Sequence, residues 1–148
     1  MKQHLKRRID HLFVYGTLRA AFDHPLQRSL RRHARRLGTA QVAGRLYDLG
    51  RYPGLVPDTA AGPVAGDLYR LRQARALLAM LDRYEGCAAR MPRPREYRRI
   101  PVAVHWRGGS HWAWVYVYNR SVKGLRAIPG GDYCAPPGGV PHGRPARS

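Results

Sequence analysis

Acidic side chains are scarce in this 148-residue chain: nine Asp plus Glu stand against 27 Lys plus Arg, a formal net charge of +18. Only two glutamates occur, Glu85 and Glu96. Cysteine is nearly absent too, with Cys87 and Cys134 alone. Two thiols without ligand spacing argue against a disulfide framework or a structural zinc site, so a reduced, cytoplasmic setting is expected. No apolar run approaches the ~20 residues needed to span a bilayer. The N-terminal "MKQHLKRRIDH" is charged where a secretion signal needs an apolar core. No membrane association is expected. No P-loop, GxGxxG or HExxH motif is present. His105 and His111 lack a ligand set, so neither a metal nor another cofactor is expected. Ser29, Ser110 and Ser121 have no nucleophile-elbow context. A Cys–His dyad through Cys87 remains a formal alternative, but nothing nearby marks that thiol as activated.

What is present suits one globular domain with a real core: 44% hydrophobic residues, three Trp and nine Tyr. The positive charge is spread out. Residues 1–36 carry ten basic and two acidic side chains, and "RMPRPREYRR" adds five arginines. Charge of this kind attracts nucleic acid through phosphate neutralisation. Lysine is scarce, however, and the arginines read mainly as solvated surface, with non-specific adhesion to RNA at low salt expected.

Along the chain, residues 1–10 read as a basic arm, 11–134 as the domain, and 135–148 as a Pro- and Gly-rich tail without fixed structure. "HLFVYG" reads as a strand. "HPLQRSLRRHARRLG" predicts a helix, with Leu26, Leu30, Ala34 and Leu37 on one face and Gly38 as its stop. His33, near that apolar edge, reads as packing or solvated. Two strands follow, joined by the Pro- and Gly-rich "RYPGLVPDTAAG". Both carry Val-Ala-Gly-x-Leu-Tyr, at 42–47 and 64–69, where a mid-strand glycine suggests a bulge or barrel corner. "RQARALLAMLDRYEG" predicts a second helix with Ala74, Leu77, Leu78, Leu81 and Tyr84 as its apolar stripe. "EYRRIPVAVHW" and "HWAWVYVYN" predict a hairpin across "RGGS". The elements do not alternate regularly. The expected fold class is therefore α+β, a small curled mixed sheet or barrel of about five to six strands with two main helices.

Two stretches can carry chemistry. After the first strand, Tyr15-Gly16-Thr17-Leu18 can turn so that successive N–H groups face one space, a concavity suited to a carboxylate or a developing oxyanion. The plain alternative is an ordinary strand-ending turn. Glu85 closes the second helix, where the carbonyl end disfavours an anion by ~0.3–1 kcal/mol. That placement fits either a surface accident or a carboxylate tuned to act as a base. Tyr116 and Tyr118 share one face of the last long strand. If that face is internal, Tyr116 can offer its hydroxyl to a substrate; core packing is the alternative. Tyr52 reads as a cavity-rim residue or as loop packing.

Seven stretches in one order, "VYGTLR", "YPGLVP", "VAGDLYRL", "LDRYEG", "EYRRIPVAV", "AWVYVYN" and "IPGGDY", resemble the gamma-glutamylcyclotransferase-like family, in particular its short bacterial and plant branch. The resemblance spans about residues 11 to 133. It implies a mixed barrel with a cavity, a substrate-binding loop at Tyr15, Gly16, Thr17 and Leu18, and Glu85 as catalytic base. It implies a small-molecule partner, a gamma-glutamyl amine, cyclised to 5-oxoproline by attack of its own α-amine. A substrate that brings its own nucleophile fits a chain with no triad and no metal motif. Two other classes stay open at this point: a non-catalytic ligand-binding module on the same fold, and a basic nucleic-acid-associated protein.

Overall fold

Seven strands and two α-helices make up the residues described by the computed structural model, namely 9–16, 25–50, 52–84 and 96–133. They are β1 (His11–Val14), α1 (Pro25–His33), β2 (Ala34–Asp48), β3 (Pro53–Pro57), β4 (Pro63–Leu71), α2 (Ala74–Tyr84), β5 (Tyr97–Trp106), β6 (Gly109–Tyr118) and β7 (Arg126–Ala127), with a 3-10 turn at Pro129–Gly131. The sheet order is β3-β2-β4-β1-β6-β5. β2 also pairs with β5 through Gln41 and His105, and this closes β2, β4, β1, β6 and β5 into a five-stranded barrel. The β1–β6 pair is parallel and the other pairs are antiparallel, so the sheet is mixed. The expected α+β barrel with two helices is what the chain forms.

Alternation along the strands sorts side chains into two cores. Phe13, Val42, Val64, Leu68, Val104, Val115 and Val117 fill the barrel interior. Leu12, Val14, Tyr69, Trp114 and Tyr116 face outward and pack with Leu30 of α1 and Leu77, Leu78 and Leu81 of α2. Tyr116 and Tyr118 therefore lie on the outer, helix-covered side of β6. The internal face belongs to the valines.

β2 is the longest strand, at 15 residues, and it overturns the predicted end of the first helix. That helix stops at His33, and Ala34–Gly38 are strand. Cross-strand pairing overrides local propensity here: Ala34 lies opposite Leu71, Arg35 opposite Arg70 and Arg36 opposite Tyr69. Leu30 and Ala34 do face one core, but Leu37 packs against the other. Gly38 is no helix stop. It sits at a register shift in the β2–β4 ladder with φ 148°, and a Cβ there would come 3.2 Å from the Trp106 indole nitrogen.

The Val-Ala-Gly repeats are neighbours. Val42 lies directly opposite Val64, and Gly44 marks where β2 leaves β4 and takes β3 as partner. The stretch expected as a plain loop thus contains a strand, β3, paired with Gly44–Asp48. In the β5–β6 hairpin, Arg107 (φ 50°) and Gly108 (φ 73°) are the two turn residues, and Gly109 already pairs with Trp106. Pro101 is tolerated in mid-strand because, among the described residues, β5 pairs with β2 only at His105.

Candidate active site

Tyr15 and Gly16 follow the last residue of β1 and form the start of the bend. Tyr15 is buried, and its hydroxyl donates to the carbonyl oxygen of Tyr116 at 2.5 Å. The same hydroxyl oxygen accepts the backbone N–H of Leu55 at 3.1 Å. One phenol thereby ties the end of β1 to β6 and β3. Gly16 does not hold a left-handed backbone. Its need for glycine is spatial, since a Cβ would lie 3.2 Å from both Cγ and Cδ of Pro53. Pro53 is fixed in turn, its carbonyl accepting the Tyr97 hydroxyl at 2.7 Å. Tyr52 is half-exposed and donates its hydroxyl to Glu96 Oε1 at 3.1 Å, so it braces the entry to β3.

The last turns of α2 are fixed just as firmly. Asp82 carries a carboxylate near the helix carbonyl end, where it is electrostatically disfavoured. Arg99 of β5 answers it with a two-pronged ion pair: Nε lies 2.7 Å from Oδ1 and Nη2 3.0 Å from Oδ2. Bidentate geometry of this kind is the strong form of the interaction. The Arg99 guanidinium lies 4.2 Å above the Trp114 ring, whose indole N–H donates to the Ile9 carbonyl at 3.1 Å. The Tyr116 hydroxyl donates to the same Asp82 Oδ1 at 2.7 Å.

Tyr116 therefore reaches both halves of the candidate site. Its carbonyl holds the Tyr15–Gly16 bend and its hydroxyl holds α2. Of the residues singled out from the sequence, Tyr15, Gly16 and Tyr116 are brought together. Thr17, Leu18 and Glu85 lie outside the described residues, as do Cys87 and Cys134. Glu85 is the next residue in the chain after α2 ends at Tyr84. Sequence reasoning missed Asp82, Arg99 and Tyr97. A signal existed for Asp82: it stands one helical turn before Glu85 in "LDRYEG" and meets the same dipole objection. Nothing local marks Arg99 among so many arginines.

Another carboxylate, the buried Asp67, lies opposite Val14 and pairs with Arg36 at 3.1 Å. Among the described residues no group of three or more His, Cys, Asp or Glu could hold a metal ion. No helix there is long and apolar enough to cross a membrane.

Comparison with known proteins gives this geometry its context. The family model described as gamma-glutamyl cyclotransferase, AIG2-like, matches residues 12–135. The gamma-glutamylcyclotransferase family protein YtfP of Escherichia coli K12 is 40% identical over 123 residues, covering 82% of this chain and 94% of the relative. The gamma-L-glutamyl-butirosin B gamma-glutamyl cyclotransferase of Niallia circulans is 36% identical over 120 residues, covering 78% and 72%. The solution structure of E. coli ytfP superposes with a TM-score of 0.59 at 36% identity, over 83% of this chain and 95% of that one. An AIG2-like protein from Mus musculus shares the fold, with a TM-score of 0.65 at 24% identity over 90% and 95%. The chain belongs to the gamma-glutamyl cyclotransferase, AIG2-like, family.

Proposed function

We propose that this protein is a cofactor-independent cyclotransferase that acts on a gamma-glutamyl amide and releases 5-oxoproline and a free amine. The observation that carries the proposal is the double engagement of Tyr116, which links the bend after β1 to α2, whose last residue, Tyr84, precedes Glu85 in the sequence. Family membership and the name of the Niallia circulans relative support the same class of reaction.

The substrate supplies the nucleophile. Its α-amine nitrogen attacks its own γ-carbonyl carbon, a five-membered ring closes, and the C–N bond to the leaving amine breaks. Three tasks fall to the protein. Folding the substrate so that amine and carbonyl meet can lower the barrier by several kcal/mol, up to ~7–11 in ideal cases. Glu85 takes one proton from the α-ammonium, which cannot attack while charged, and passes it to the leaving nitrogen. The ring nitrogen sheds a second proton after attack, which the departing amine takes up, so the products are 5-oxoproline and a protonated amine. Backbone N–H groups of Gly16, Thr17 and Leu18 stabilise the tetrahedral oxyanion, each such donor being worth ~3 kcal/mol by the usual measure of its removal.

The test is to incubate the purified protein with a panel of gamma-glutamyl amines, from single amino acids to lysine side-chain amides and large amines, and to assay 5-oxoproline. Stoichiometric 5-oxoproline and free amine from at least one member is expected. A thermal shift on ligand addition with no product from any member would replace the enzyme by a binding module.

A further inference from the structure

A cyclisation catalyst must hold its acid–base group and its oxyanion donors at one separation, because a displacement of about 1 Å costs up to ~100-fold in rate. In the chain the two stand about seventy residues apart, and α2 and β1 share no backbone pairing. Something else must set their spacing. We propose that Tyr116 is the positioning residue that sets it, with Asp82 and Arg99 completing the link. This inference rests on the cyclotransferase reading above.

The link is continuous and short. It runs from the Leu55 N–H of β3 to the Tyr15 hydroxyl at 3.1 Å, then to the Tyr116 carbonyl. It continues from the Tyr116 hydroxyl to Asp82 Oδ1 at 2.7 Å and from Asp82 to Arg99 on β5. Tyr15 and Tyr116 are both buried, and the Arg99 and Asp82 side chains are 21% and 18% exposed, so water competes weakly for these bonds. Each member is polar where a packed sheet–helix interface needs only apolar contact. Asp82 stands three residues before Glu85, about one helical turn. Rotation of α2 about its axis would carry Asp82 away from both strands, and the Tyr116–Asp82–Arg99 contacts oppose that rotation from β5 and β6 at once. Two strands gripping one carboxylate fix its azimuth better than either alone.

The link predicts a separation of effects. Tyr116→Phe removes the hydroxyl bond to Asp82 but keeps the ring, the carbonyl and the Arg99–Asp82 pair. It is expected to lower kcat about tenfold while leaving KM within about twofold, because binding is preserved and alignment is not. Asp82→Asn is expected to do the same. The double variant should lose less than the product of the single losses, since both substitutions weaken the shared Tyr116–Asp82 bond, while Asp82→Asn also weakens the pair with Arg99. Amide hydrogen exchange gives a readout free of turnover. In Tyr116→Phe, exchange should accelerate both at residues 81–84 and at Leu55, on the far side of the link. Faster exchange in α2 alone would make Tyr116 a local helix anchor and overturn the proposal, as would an unchanged kcat or strictly multiplicative losses. If wild-type protein releases no 5-oxoproline from the substrate panel, the cyclotransferase reading fails by itself, and the exchange experiment still decides whether the two elements are coupled. Should Tyr116→Phe fold poorly, Asp82→Asn carries the same comparisons.

Discussion

Gly66 and Tyr69 show how single residues constrain the neighbourhood of the candidate site. A Cβ on Gly66 would stand 2.4 Å from the Val14 carbonyl oxygen and 2.5 Å from Cζ of Phe13, so β1 cannot sit against β4 with any larger residue there. Gly66→Ala should destabilise by about 3 kcal/mol, the upper end of ordinary overpacking, read as a lowered urea midpoint. Tyr69 is fully buried and accepts the amide of the equally buried Gln27 at 3.2 Å. Burial raises its pKa above the ordinary 10.0. The unfolded chain gives up this proton near 10, while the folded chain keeps it to higher pH. The contribution to stability is therefore whole below pH 10 and is lost as pH rises beyond it. Thermal melts of Tyr69→Phe should fall less steeply with alkaline pH than wild-type melts, from a starting stability lower by about 1–3 kcal/mol because Gln27 loses its acceptor. At this scale the sequence was partly legible. A glycine inside a repeated strand motif marks a corner at Gly44 and a close approach at Gly66. Gly16 was legible as part of a turn, but its crowding was not, since the Pro53 ring that crowds it is 37 residues away.

Elements were legible where one periodicity spoke alone. Leu77, Leu78 and Leu81 face the outer core as the stripe on α2 requires. Leu81→Ala should cost about 2–5 kcal/mol by chemical denaturation, because its side chain is wholly buried. α1 was over-extended because Ala34 and Leu37 fit a helical spacing and a strand equally. Only the ladder to β4, built from residues 30 or more positions later, decides for the strand. β3 was hidden by Pro53, Gly54 and Pro57, which signal a loop unless the strand ends at them. The β5–β6 hairpin was legible, with its turn one residue earlier than two adjacent glycines suggest. Arg107 holds φ 50° there, a region costly for a side chain that lacks local hydrogen bonding. Arg107→Asn should raise the melting temperature, by roughly 0.5–1 kcal/mol in stability. A lower melting temperature would mean that the Arg107 contact with the Trp106 ring, 4.9 Å to its centroid, outweighs the backbone strain.

At the scale of the whole molecule, barrel closure depends on pairings that no local pattern announces. β1 meets β6 about 100 residues away, and β2 meets β5 through Gln41 and His105. Element order and the mid-strand glycines pointed to a curled sheet or barrel, and the family resemblance implied a barrel with a cavity; which strands close it was not legible. The same holds for the site: Tyr15 and Gly16 were legible as a motif, whereas the Asp82–Arg99–Tyr116 cluster needs three elements folded together. The net charge of +18 belongs to this scale as well. RNA adhesion, if driven by charge alone, should fall steeply and linearly in log affinity against log salt, without sequence preference. Affinity that survives near-physiological salt would point to a second role for the basic surface. The central claim is that a carboxylate and a row of main-chain donors act together on one gamma-glutamyl substrate. Comparing 5-oxoproline release by wild-type protein and by Glu85→Gln tests it most directly. The expected result is turnover by the wild type and loss of at least ~100-fold in the variant with an unchanged melting temperature, as fits a missing general base. Full activity in Glu85→Gln would contradict it.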